Sequence, residues 1–104
     1  MVRVTFSKNN DGDIVVFKVE GHAGYAPHGQ DIVCAAVSAV TTSTINGIKA
    51  LTDGEIEVSI DGGLIDACVL KSTSGSNVLL NSMLLSLEGI QEGYPENLAV
   101  IEIK

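Results

Sequence analysis

The sequence predicts an α+β fold: a mostly antiparallel or mixed five-stranded sheet with two long helices, in the order ββαββαβ. Three observations carry this. Five short segments run apolar and β-prone, two long segments place apolar residues at helical spacing, and Gly, Asn and Pro clusters separate them. Paired hairpins with one wet face favour antiparallel pairing, with the helices on the other side of the sheet.

Val2-Arg3-Val4-Thr5-Phe6 alternates strictly and reads as the first strand. Asn9-Asn10-Asp11-Gly12 supplies a hairpin turn, and Ile14 to Val19 returns as the second strand. A helix is expected roughly from Asp31 to Thr52, with Asp31 as its N-cap and Gly54 just past its end. Its apolar face is expected from Ile32, Val33, Ala36, Val37, Ala39 and Val40. Glu55-Ile56-Glu57-Val58-Ser59-Ile60 alternates with one face buried, and Asp61-Gly62-Gly63 turns it into Leu64 to Leu70. The second helix spans roughly Ser76 to Glu92, capped by Ser76 or Asn77 and stopped by Gly93-Tyr94-Pro95. Leu98 to Ile103 is the last strand. No repeat, linker or low-complexity tract divides the chain, so residues 1–104 read as a single domain.

Composition narrows the function. Thirteen acidic against six basic residues give a net charge of −7. Duplex binding needs several Lys or Arg on one face to release counterions, so nucleic acid is not the expected partner. The first twenty residues show no continuous apolar run of a secretory signal. The stretch Ile32 to Ile48 carries Ser38, Thr41, Thr42, Ser43, Thr44 and Asn46, too polar and slightly too short for a bilayer span. Two cysteines in such a chain read as thiols rather than a disulfide, and the cytoplasm is the expected compartment.

The second helix has more apolar surface than one core needs. Leu79, Leu80, Met83, Leu84, Leu87 and Ile90 form one stripe about 140° wide, while Val78 and Leu85 lie on the other side. Loops can cover that second seam, or a helix-mediated homodimer can. Gly47 and Gly89 allow close helix approach.

The chemistry concentrates in Gly21-His22-Ala23-Gly24-Tyr25-Ala26-Pro27-His28-Gly29-Gln30-Asp31-Ile32-Val33-Cys34, which holds both histidines. Gly21, Gly24 and Gly29 make the backbone of this loop adaptable. Cys34 is expected to project away from the centre of the apolar face, on the side of Asp31 and Ser38. With Asp31 as the cap, Cys34 is the third helical residue, where the positive helix end favours a thiolate and free N–H groups face an oxyanion. His22, brought back by the loop, is the candidate base. Against this, an isolated cysteine is commonly a small buried hydrophobe. His28 between Pro27 and Gly29 reads as an exposed turn residue, Cys68 as a strand packing residue, and Ser38 as bonded to its own helix. A metal site from His22, His28, Cys34 and Cys68 lacks recognised ligand spacing, and no CxxC supports thiol redox chemistry.

Gly21-His22-Ala23, followed by Gly29 and Asp31-Ile32-Val33-Cys34-Ala35-Ala36-Val37-Ser38, resembles the signature of the ribosomal-processing cysteine protease Prp family. The resemblance extends over the whole chain. It implies a cytoplasmic bacterial endopeptidase that removes a short N-terminal extension from the twenty-seventh protein of the large ribosomal subunit. Cys34 is then the nucleophile and His22 its partner, with Asp31 and Ser38 in support and a mobile glycine-rich substrate loop. It further implies a homodimer and no cofactor. A non-catalytic alternative is an acidic ribosome-associated module that contacts a basic partner through Glu55, Glu57 and Asp61.

Overall fold

The computed structural model describes residues 1–21 and 28–103, residues 28–31 by their backbone alone. The elements are β1 (Val2–Lys8), β2 (Ile14–Glu20), α1 (His28–Leu51), β3 (Glu55–Asp61), β4 (Leu64–Lys71), α2 (Ser74–Gly93) and β5 (Leu98–Ile103). Their order is the expected ββαββαβ. The strands form one mixed sheet, β3-β4-β2-β1-β5, in which only β1 and β5 run parallel.

The turns follow from their residues. The Asn9 side-chain oxygen accepts hydrogen bonds from the backbone N–H of Asp11 at 2.9 Å and of Asp13 at 3.0 Å. Gly12 adopts φ +85° there, and Gly62 and Gly63 adopt +55° and +89° between β3 and β4. These are left-handed conformations that glycine enters without steric cost.

Alternation sorts the sheet into two faces. Val2, Val4, Phe6, Phe17, Val19, Ile65, Ala67, Val69 and Leu98 are buried in one cluster with the helices. Arg3, Val16, Asp66, Cys68 and Leu70 are exposed. From α1 the cluster takes Val33, Val37, Ile45 and Ile48, and from α2 Leu80, Met83 and Leu87. Burying each such side chain is worth about 1.5–3 kcal/mol.

Several local expectations are corrected. The buried face of α1 lies further along the helix than expected, on Val33, Val37, Thr41, Thr44, Ile45 and Ile48, with Ile32 44% exposed and Ala39 exposed. The two threonines hid this face from a hydrophobicity pattern. By length and a mean hydropathy of 1.2, Ile32–Leu51 does reach the level of a membrane span. Within it Val33, Val37, Ile45 and Ile48 are buried in the core against the sheet, while Ile32 and Leu51 are exposed. The cap of α2 is Thr73, which forms a capping box with Ser76: Ser76 N–H donates to Thr73 Oγ1 at 3.1 Å, and Thr73 N–H donates to Ser76 Oγ at 2.9 Å. Gly54 is no left-handed helix cap. A Cβ at Gly54 would lie 2.6 Å from Ser76 Cβ and 2.9 Å from its Oγ, so glycine serves close approach to α2. Ile60 is 71% exposed at the end of β3, because that strand lies at the sheet edge.

Two stability outcomes are expected in urea unfolding. Gly54→Ala forces Ser76 or the chain aside and destabilises by about 1–3 kcal/mol. Thr41 is fully buried and its hydroxyl has no hydrogen-bond partner among the described residues. Thr41→Val removes that burden with little change of shape and raises the midpoint, by about 1–2 kcal/mol in stability.

Candidate active site

The site is assembled where β2 hands the chain to α1. Gly21, just after β2, has φ +95°, and an added Cβ would collide with the Met1 carbonyl oxygen. Both facts require glycine there. His22 and Gly24 lie outside the described residues. The chain resumes in α1, which begins at His28, three residues before the expected start. His28 and Gly29 are therefore helical rather than part of a loop or turn, and Asp31 is a fourth helical residue rather than the N-cap. The sequence allows this earlier start, because Pro27, which has no N–H to leave unpaired, stands directly ahead of His28.

The longer helix changes the electrostatics of Cys34. It becomes the seventh residue of α1 instead of the third. Helix geometry leaves without an intrahelical partner only the N–H groups of the first turn, ahead of Cys34. In a regular α-helix the N–H of Cys34 is spent within the helix, so the expected oxyanion donors at Cys34 itself are not provided by the helix start. Cys34 is also not turned away from the core. It is half-buried and packs against the core cluster, next to Val33 and one turn before Val37. Ser38 is half-buried one turn further along.

Cys68 is resolved by the sheet. It stands opposite Val16 and Glu57 between buried Ala67 and Val69, so it points to the open face and is exposed. This corrects its reading as a packing residue. Cys34 lies on the helix-covered side, so the sheet separates the two sulfurs. They cannot form a disulfide or share a metal. Among the described residues no group of three His, Cys, Asp or Glu converges in a manner that fits a metal ion.

A feature missed in the sequence is an open groove of about 310 Å³ between the helices, lined by Ala39, Val40, Ser43 and Thr44 of α1 and Ser82, Met83 and Ser86 of α2. Its small serines and alanine carry no charge or periodic signal that would have marked it. Cys34 does not line it.

Comparison with known proteins agrees with this architecture. The family described as cysteine protease Prp matches residues 1–99. A Bacillus subtilis relative named ribosomal processing cysteine protease Prp is 33% identical over 107 residues, covering 96% of both chains. A Staphylococcus aureus relative of the same name is 33% identical over 101 residues, covering 94% of this chain and 95% of its own. The S. aureus protease solved with a covalently linked product peptide superposes with a TM-score of 0.90 at 31% identity, covering 99% of this chain and all of that one, 100%. With a substrate peptide bound, the S. aureus protease gives 0.87 at 29% identity, with coverage of 99% and 100%. The fold and these matches define a small α+β thiol-protease scaffold. The chain belongs to the cysteine protease Prp family.

The placement of Cys68 has a measurable consequence. Cys68→Ser changes stability by less than about 0.5 kcal/mol and leaves peptide cleavage unaltered, as checked by urea unfolding and a cleavage assay on the same preparation.

Proposed function

We propose that this chain is a cytoplasmic endopeptidase that removes the N-terminal extension of the twenty-seventh protein of the large ribosomal subunit, with Cys34 as nucleophile and His22 as its acid–base partner. The observation that carries the reading is the position of Cys34 in its Asp-Ile-Val-Cys motif. It is anchored on α1 beside the core, on the helix-covered side of the sheet, whereas Cys68 lies on the other face. The relatives' names specify ribosomal processing, and a product peptide covalently linked in one of them supports a nucleophilic route.

The mechanism is acyl transfer. The Cys34 thiolate attacks the scissile carbonyl carbon and forms a tetrahedral intermediate. Protonated His22 gives its proton to the departing amine as the C–N bond breaks, leaving a Cys34 thioester. Neutral His22 then takes a proton from water, whose oxygen attacks the thioester and releases the acid and the thiolate. No step calls for a cofactor. Asp31 and Ser38 support the helix around the nucleophile, and Gly21, Gly24 and Gly29 give the substrate segment its adaptability.

The same reading includes a homodimer. Val78 and Leu85 of α2 are 66% and 71% exposed and sit beside Ser82 at the rim of the interhelical groove. A second copy would withdraw them from water. Sedimentation at micromolar concentration is expected to give a dimer, and a clean monomer refutes that part.

The catalytic assignment is tested with a peptide spanning the ribosomal protein's extension. Cys34→Ala and His22→Ala are expected to abolish cleavage, with peptide binding retained in fluorescence anisotropy. Ser38→Ala reduces the rate by a smaller factor, since a hydroxyl one turn away acts only through its neighbours. Full cleavage by Cys34→Ala overturns the protease reading in favour of an acidic binding module.

A further inference from the structure

We propose that the outer edge of β3 receives the substrate as an added extended strand, and that Ile60 is a specificity-determining residue on that edge. This deepens the proteolytic reading above and rests on it. β3 ends the sheet, so one row of its backbone N–H and C=O groups has no strand partner among the described residues. Such an edge is a template for an extended peptide.

Three observations join this edge to the site. The first is Ile60 itself. It stands opposite buried Ile65, on the helix-covered side of the sheet, yet is 71% exposed. A β-branched apolar side chain on the core side, with its neighbours Ile56 and Val58 packed and itself uncovered, is a ready contact for an apolar substrate residue.

The second is location. β4 pairs with β2 through Val19 opposite Ile65. Continuing that register by two residues brings Gly63, in the β3–β4 turn, level with Gly21, where the chain leaves toward α1. The tip of the β3–β4 hairpin, the exit of β2 and the start of the Cys34 helix therefore share one end of the molecule. Ile60 and Cys34 also share one side of the sheet.

The third is charge. Glu55, Glu57 and Asp61 alternate along β3 and are exposed. Like charges keep a second copy of this chain from pairing there. A chain rich in Lys and Arg is attracted instead, and a protein that lives against ribosomal RNA must be such a chain to neutralise phosphates. The occupant is thus an extended basic substrate segment with an apolar residue at the position facing Ile60.

The experiment combines a kinetic and a structural readout. In the wild-type background, Ile60→Thr keeps β-propensity and removes apolar contact; KM for the extension-spanning peptide is expected to rise about tenfold, with kcat within about twofold. Ile60→Val restores most of the loss. In Cys34→Ala protein saturated with the same peptide, alternate amides of β3 are expected to become protected from hydrogen exchange. Wild-type cleavage with no β3 protection and an unchanged KM in Ile60→Thr overturns the edge proposal and leaves the protease reading intact. β3 protection without wild-type cleavage retains the edge as a binding site and overturns the protease reading. Neither cleavage nor protection overturns both.

Discussion

The joint between the end of α1, the start of α2 and the first hairpin holds the structure in register. Thr73 and Ser76 close the capping box, buried Ser76 fits against Gly54, and Asn77 reaches across so that its side-chain oxygen accepts from the N–H of Ile14 at 3.1 Å. The Ser72 hydroxyl donates to Asp13 at 3.0 Å in the same place. Polar groups that would otherwise be buried without partners satisfy one another, and each satisfied group fixes a neighbouring element. With that end fixed, both helices lie over one face of the sheet.

The opposite end is built from different materials. Gly21, Gly62 and Gly63 occupy left-handed conformations, and Ile60 is left uncovered. One end of the domain is cross-linked by side-chain hydrogen bonds, and the other carries the left-handed glycines after β2 and between β3 and β4. The side-chain hydrogen bonds that fix the elements thus gather at the end away from Gly21.

The sheet was legible because period-two alternation and its consequence, burial on one face, are the same physical fact. Leu98 to Ile103 and the stripe through Leu80, Met83 and Leu87 fall where the pattern places them. Helix starts were less legible. Thr73 is set before two small residues, Ser74 and Gly75, and a cap that works through Ser76 instead of Glu or Gln lacks the usual signature. Pro27 and Gly29 weighed toward a turn, although proline before a helix start is equally natural. The side of α1 that faces the sheet was obscured by Thr41 and Thr44, which are buried despite their hydroxyls; Thr44 donates to the Val40 carbonyl at 2.9 Å. That shift also moved Cys34 from an outward to a core-side position. The motif around Cys34 was readable from sequence, whereas the groove and the exposed Ile60 depend on which neighbours happen not to cover them.

The parallel pairing of β1 with β5 has a consequence for how the chain acquires its structure. Val2 stands beside Leu98, and the Val2 N–H donates to the Asn97 carbonyl at 2.8 Å. The first and last strands of this sheet to be synthesised are thus neighbours, and β1 occupies the interior of the sheet only after β5 arrives. Hairpins and helices can form during synthesis, but this closure carries the largest loop entropy in the fold and comes after the other elements have been made. Until then β1 presents a bare apolar strand edge, so a stalled nascent chain is more exposed to misassembly than the finished protein.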